Sequence, residues 1–445
     1  MEAQVSSRLK ILIDTLKLYY LLAKIAINSF IFRSNTKNSD SFLLMAPSLP
    51  PDTGSGTHRP TSLLRYAPEA SVQINAISNA RWCEPSAAGD YLLSTIPTHT
   101  AISRISESPL TPAWRLTPKV DGDVRNLISM FFLGKTIYGS TPPSVIISSS
   151  PPFYIAVAAY LLSRHLRSIF VMDYRDEWTR CPFDFVSSSR LDKLLETHLL
   201  RNADLVLYTT ETQKRNQMLA FPNHTRNTIV LPNGWEEGDV EPSQESSPAS
   251  SNGGKIVLSF VGNLVAHSSP HKFLRMLAQM IRDNPVIEEN ILVQFIGRKD
   301  IKNSVTLDEF EYGNCVRSVD NLPKPEALRQ MKLSDALLIF SEPDLAAYRP
   351  GKLYDYLATK RPVIVFGSPG EASDVVSDLR AGWHLDYTDS QAFLKIVEAL
   401  KAKNIPDGCN SEELDNWLSQ HTRRNLALRL YDRVKQTLVS KHTSA

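Results

Sequence analysis

The sequence predicts an α/β protein of two doubly wound parallel sheets, and three observations carry that reading. Short unbroken apolar runs alternate with helical patterns along the chain. The alternation stops at residues 236–254, EEGDVEPSQESSPASSNGG, and then restarts. The 445 residues also exceed what one ordinary core holds, so two or three domains are expected.

Residues Ser41 to Ala46 read as the first buried strand, followed by the turn-rich stretch 47–60 and a helix from Thr61 to Tyr66. The run Val145 to Ile147, the loop SSSPP, the apolar helix Tyr154 to Leu166 and the strand Ile169 to Met172 form a parallel crossover in sequence form. A helix over 188–201 leads to the strand Leu205 to Tyr208, then to a helix over 211–219 and the strand Thr228 to Leu231. Beyond the Ser, Pro and Gly-rich linker come strand Ile256 to Val261, helix 271–282, strand Ile291 to Ile296, helix 325–332, strand Ala336 to Phe340, helix 350–359 and strand Val363 to Phe366. A last helix, 422–438, is long enough to reach back to the first domain. The expected domains are therefore an amphipathic helix in 1–36, a first α/β domain in 37–235, the linker 236–254, a second α/β domain in 255–420 and a terminal helix in 421–445.

Charge and cysteine content exclude several classes. Lys and Arg number 49 against 47 Asp and Glu, a near balance that leaves no electrostatic footprint for nucleic acid. Cys83, Cys181, Cys315 and Cys409 are far apart, which suits a reducing cytoplasm better than a disulfide framework or a zinc site. His58, His99 and His267 share no metal-ligand spacing, so no bound metal and no cofactor is expected. No apolar run spans a membrane, and the opening residues do not resemble a cleavable signal peptide. Within 9–32, however, Lys10, Asp14, Lys17, Lys24 and Asn28 mark one polar side of a broadly apolar helix. That helix either packs on the body of the protein or lies in a membrane interface, making the protein peripheral on the inner face of a membrane.

The chemistry concentrates where strands end, because doubly wound sheets take ligands at the carboxyl ends of their strands. In the second domain Gly262 and Asn263 follow one strand, and a glycine there lets the backbone approach a ligand. Gly297 and Arg298 end the next strand and could bound a base pocket, while Lys272 opens the helix after the first. The stretch PGKLYDYLATKRPVIVFG at 350–367 is the richest. Its helix amino terminus at Gly351 and the charge of Lys352 suit a diphosphate, and Asp355, three residues on, offers two acceptor oxygens to a ribose. The bland alternative is an ion pair between Lys352 and Asp355. In the first domain Gly54, Gly56 and Arg59 could receive an acceptor sugar or anion, and Arg175-Asp176 follow a strand that ends near Asp173.

Taken together, SSSPP, IFVMDYRDEW at 169–178, LPNGWEE at 231–237, VGNL at 261–264 and PGKLYDYLATKRPVIVFG resemble the family 4-type (group 1) retaining glycosyltransferases of the B fold, including polysaccharide-building bacterial enzymes. The resemblance runs from about Ser41 to Leu438 and implies two facing Rossmann-like domains, the first for the acceptor and the second for a nucleotide-sugar donor, with a C-terminal helix crossing back. It implies metal-independent transfer of a glycosyl group with retention to a glycan, lipid-linked or small-molecule acceptor. It also makes Arg175, Asp176, Lys272 and Lys352 the catalytic candidates. Such enzymes have two glutamates eight positions apart; Asp355 stands at the second, and Ala347 at the first, leaving Glu342 or Asp344 as substitutes. Two rivals remain: a nucleotide-sugar epimerase on the same architecture, and a noncatalytic sugar-nucleotide binder, which Ala347 motivates.

Overall fold

The computed structural model describes residues 41–79, 86–105, 124–183, 186, 188–239 and 254–443, with side chains to residue 441. The expected amphipathic helix in 1–36 and most of the linker, 240–253, lie outside these residues. Among those described, no helix is long and apolar enough to cross a membrane.

Thirteen strands carry the architecture among the described residues: β1 Ser41–Ala46, β2 Gln73–Ser78, β3 Ile102–Arg104, β4 Val145–Ser150, β5 Ile169–Tyr174, β6 Leu205–Tyr208, β7 Thr228–Val230, β8 Ile256–Val261, β9 Ile291–Ile296, β10 Val316–Val319, β11 Ala336–Ser341, β12 Val363–Gly367 and β13 Gly382–Leu385. They form two sheets, in the orders β3-β2-β1-β4-β5-β6-β7 and β10-β9-β8-β11-β12-β13. The strand pairs run parallel. The central strands are buried along their whole length, which is why they read as mostly apolar runs: helices cover both faces. In each sheet the strand order reverses once, between β1 and β4 and between β8 and β11. These are the places where connections diverge and leave room for a ligand.

The described residues fall into two compact units, one running to Leu231 and resuming at Leu426, the other Pro232–Asn425. In the first, Leu43, Met45, Ile146 and Phe170 pack with the helix Tyr154–Leu166 on one face of the sheet. The other face buries Phe42, Leu44 and Ile147 with Leu426, Leu430, Tyr431 and Val434 of the terminal helix Arg423–Thr443. That helix is fastened by its own core, each buried aliphatic contributing about 1.5–3 kcal/mol, and by the Tyr431 hydroxyl, which donates to the Leu63 carbonyl at 2.6 Å. In the second unit Phe260, Phe295, Phe340 and Phe366 pack under Phe273 of the helix His271–Asp283, and Val261, Ile339 and Val365 under Leu353 and Tyr356 of the helix Gly351–Ala358.

Two local differences from the sequence reading matter for the site. The first helix begins at Ser55, not Thr61, with Pro60 inside it. Of the expected linker, Glu237–Asp239 form a 3₁₀ turn, and the Trp235 indole before it donates to the Leu418 carbonyl at 2.9 Å. This segment belongs to the second unit, with the division falling after Leu231.

Candidate functional site

At the β8–β11 reversal the backbone itself makes the opening. Gly262 and Gly297, directly after β8 and β9, have φ of +138° and +133°, a region that side-chain-bearing residues rarely enter. A Cβ on Gly297 would stand 2.3 Å from the Gly262 carbonyl oxygen, so the two turns interlock as glycines only. Above Gly262 lies Lys352, whose Cε and Nζ would be 3.1 and 3.2 Å from a Cβ there.

Lys352 comes from the first turn of the helix Gly351–Ala358, whose N-cap, Pro350, has no side chain to satisfy the leading amides. Its Nζ sits 3.5 Å from the centroid of the Phe260 ring, a cation–π contact. Among the described residues it has no ion pair and no hydrogen bond. Desolvation alone pushes its ammonium down to about 7. An anion arriving over Gly262 therefore meets a cation that no carboxylate has claimed.

Asp355 turns elsewhere. Three residues advance a helix by about 300°, some 60° short of a full turn, and that offset brings Asp355 Oδ2 to 2.6 Å from Lys324 Nζ while Lys352 faces Gly262. The alternative reading, a Lys352–Asp355 ion pair, is thus not formed. Asp355 Oδ1 is buried without a hydrogen-bond partner, an acceptor waiting for a donor such as a hydroxyl. Lys324, which the sequence reading missed, carries no local signal: it is 31 residues away and also lies 3.9 Å from Asp239.

Lys272 Nζ meets Glu342 Oε2 at 2.6 Å and stands 5.6 Å from the Tyr387 ring centroid. Glu342 follows β11, so this pair joins the helix after β8 to the end of β11. The lysine side chain is 54% exposed, and such a pair contributes under about 1 kcal/mol, little enough for an incoming phosphate to displace. Asn263 and Arg298 are exposed on either side, and their carbonyls accept from Ser268 Oγ and the Leu264 amide. Gly351 is exposed, and Asp344 lies exposed in the turn Pro343–Leu345.

In the first unit the glycine loop is the start of a helix. Gly54 is the N-cap of Ser55–Tyr66, and Gly56 lies in its first turn. Pro60 has no amide hydrogen to give the carbonyl four residues back, which is that of Gly56. The Arg175 guanidinium takes that place, donating to Gly56 O at 3.2 Å, Ser150 O at 3.1 Å and Pro151 O at 2.9 Å. Arg59 does not present the free fork expected for an acceptor phosphate. It holds the fully buried Asp173 bidentately at 2.8 and 2.9 Å and donates to Leu231 O at 2.8 Å, and Ser149 Oγ adds a third bond to Asp173. Arg59 is thus an architectural cation.

Asp176 differs from Asp173 and Glu196 nearby. It follows β5, is half-buried, and has neither ion pair nor hydrogen bond among the described residues. Desolvation raises its carboxyl to about 6, with the Arg175 charge opposing and Asp173 assisting. Asp173 is tied to Arg59, and Glu196 to Tyr174 and Thr179. Arg175, though adjacent, spends its donors on backbone carbonyls, and burial lowers it from its usual value.

No protein-family model matches the chain, and no curated relative matches it. Solved structures that follow the same course include Anabaena HepE in complex with UDP-glucose, at 13% identity and a TM-score of 0.64 over 89% of this chain and 99% of that one. Sucrose-phosphate synthase from Thermosynechococcus elongatus matches at 12% identity and a TM-score of 0.67, covering 90% of this chain and 99% of its own. A glycosyltransferase from Rickettsia africae matches at 12% and 0.64, covering 91% and 99%.

The chain has the glycosyltransferase B fold.

Within that fold, the second unit brings Gly262, Gly297, Lys352 and Lys272 to one reversal, with Asp355 one turn along the Lys352 helix and Asn263, Arg298 and Gly351 at the edge. The first unit gathers Gly54, Gly56, Arg175 and Asp176 at the ends of its central strands. A surface hollow of about 440 Å³ also lies along the edge strand β13, beside Arg380, Trp383, His384 and Asp407, and carries none of these groups. Among the described residues no cluster of three or more His, Cys, Asp or Glu could hold a metal ion.

Proposed function

We propose that the chain is a glycosyltransferase that moves a sugar from a UDP-sugar to a hydroxyl of a glycan, lipid-linked or small-molecule acceptor, with retention of configuration and without a bound metal. The observation that carries this reading is the group at the β8–β11 reversal. An unclaimed ammonium, Lys352, lies against a glycine turn and at an uncapped helix start, and one turn away Asp355 keeps a buried oxygen without a partner. A diphosphate answers the first and a ribose hydroxyl the second. The structures of HepE with UDP-glucose and of an E. coli protein bound with UDP-2-fluoro glucose, alike in fold, support a uridine nucleotide as donor.

In this reading the first unit holds the acceptor near Gly54 and Gly56. As the bond from the anomeric carbon to the diphosphate breaks, negative charge grows on the leaving oxygens, where Lys352 and the helix amides stabilise it. Lys272 exchanges Glu342 for a phosphate and adds a second cation. Residues 9–32 hold the protein at the inner face of a membrane, in the cytoplasm, where surface polysaccharide is built.

A thermal-shift panel of UDP-, GDP-, dTDP- and ADP-glucose tests the donor class, since a ligand at 100 times its Kd stabilises by about 2.7 kcal/mol. Stabilisation by UDP-glucose alone fits the proposal; stabilisation by none of the four removes it. The anomeric configuration of the product, read by NMR, tests retention, and an inverted product would refute that part. Ala347 favours one second reading, a binder without turnover. UDP-sugar affinity with no product over an acceptor panel would select it.

A further inference from the structure

We infer that Lys324 is the positioning residue of the ribose contact: it holds one oxygen of Asp355 and so keeps the other set to accept from a ribose hydroxyl. The assignment rests on the UDP-sugar reading above. Lys324 Nζ donates to Asp355 Oδ2 at 2.6 Å, while Oδ1 is buried without a partner. The last torsion of an aspartate is broad and roughly twofold, so an unheld carboxylate turns and its two oxygens trade places. Among the described residues Lys324 is the one side chain that bonds this carboxylate.

Lys324 is itself held in place. It opens the helix Lys324–Lys332 between Pro323 and Pro325, whose rings restrict the backbone on either side. Leu328 and Met331 of that helix pack in one core with Leu353, Tyr356 and Leu357 of the helix that carries Asp355. The Tyr356 hydroxyl ties the second helix to the end of β8, donating to the Val261 carbonyl at 3.0 Å and accepting from its amide at 2.7 Å. The core therefore sets the spacing of the two helices, and an ion pair whose lysine is 30% exposed adds little to it. What the lysine supplies is the orientation of the carboxylate.

A second carboxylate competes for the same ammonium. Asp239 Oδ2 lies 3.9 Å from Lys324 Nζ, beyond hydrogen-bond distance. Burial raises the Asp239 carboxyl, Lys324 and Arg423 oppose the rise, and Asp355 and Glu236 add to it, so the two aspartates feel one another across the lysine. The shorter contact commits Lys324 to Asp355.

Calorimetry with UDP and 2′,3′-dideoxy-UDP on the full chain, Lys324→Met, Lys324→Gln and Asp239→Asn tests the assignment. Both ligands carry the diphosphate, so a lysine acting through its charge alone serves them equally, whereas UDP alone has the hydroxyls that Asp355 receives. The expected result is UDP affinity about tenfold weaker in Lys324→Met and Lys324→Gln, with dideoxy-UDP affinity close to the parent's, which also shows that the variants fold. Asp239→Asn should bind UDP at least as well as the parent. UDP affinity unchanged in the Lys324 variants, equal losses for both ligands in both of them, or a matching loss in Asp239→Asn would overturn the assignment. A parent that binds neither ligand would overturn the donor reading. A parent that binds the two alike would leave the diphosphate site standing and overturn the ribose contact, and the assignment with it.

Discussion

Replacing Lys352 separates its charge from its shape, because the pH dependence of donor affinity reports its protonation directly. In the free protein desolvation alone holds the ammonium down at about 7, and no acid or base near it contributes. Both phosphates of a UDP-sugar are diesters and stay ionised from about pH 6 to pH 9, so the ligand's diphosphate does not titrate over the assay. If the charged lysine binds the diphosphate, affinity is flat below about pH 7 and falls about tenfold per unit above it, reaching about 100-fold at pH 9. Binding above pH 7 takes up about one proton, visible in calorimetry as a dependence of the heat on the buffer. Lys352→Ala should bind UDP-glucose about 100-fold more weakly at pH 6 and lose the pH dependence, because the neutral lysine and the alanine then differ little. Lys352→Arg should keep charge throughout and lose the pH dependence without losing affinity at pH 6. A wild-type affinity that stays level from pH 7 to pH 9, or the same pH slope in Lys352→Ala, would refute the reasoning.

Other expectations follow from neighbouring residues. Asp355→Asn should weaken UDP-glucose binding by about ten- to a hundredfold, the worth of a charged hydrogen bond, while 2′,3′-dideoxy-UDP-glucose should bind variant and parent equally. Gly262→Ala has to place a Cβ at φ +138° and 3.1 Å from Lys352 Cε; urea titration should show a loss of about 1–3 kcal/mol and calorimetry a weaker donor. Arg59→Ala leaves the buried Asp173 unpaired, and denaturation should register about 3–5 kcal/mol, whereas a dispensable surface phosphate-binder would cost under about 1 kcal/mol. Asp176 is raised in the folded state, so its contribution works against stability as pH rises through about 4 to 6. Asp176→Asn should therefore melt above the parent at pH 8, with the gap closing by pH 4.

Much of this fold is legible because its central strands are buried on both faces. VIISSS and ALLIFS leave no polar interruption in their apolar parts, IVLSFV holds a single serine, and their ends mark where glycines and charges fall. The edge strands β3, β10 and β13 escaped the reading because they are short and mostly half-exposed, so their sequences lack the same apolar run. Glycine and proline concealed the start of the first helix: Gly56 sits in a turn that makes few demands on it, and Arg175, not the Pro60 amide, satisfies its carbonyl.

The candidate site was legible by position and less so by pairing. Gly262, Gly297 and Lys352 were visible as strand-end and helix-start residues, and the positive φ angles with the Lys352 approach give that position a physical cause. The partners were not visible, because they are set by packing across the chain: Lys324 reaches Asp355 across 31 residues and Arg59 reaches Asp173 across 114. The solitude of Asp176 is equally nonlocal, since it depends on Arg175 being spent on carbonyls of Gly56, Ser150 and Pro151.

The most direct measurement is a crystal structure of the full chain with UDP-2-fluoro-glucose bound. The account predicts diphosphate oxygens within about 3 Å of Lys352 Nζ and the amides at Gly351, a ribose hydroxyl on Asp355, and the Lys272–Glu342 pair opened. A nucleotide bound away from the β8–β11 reversal, or a diphosphate with Lys352 still lying unengaged over Phe260, would contradict it.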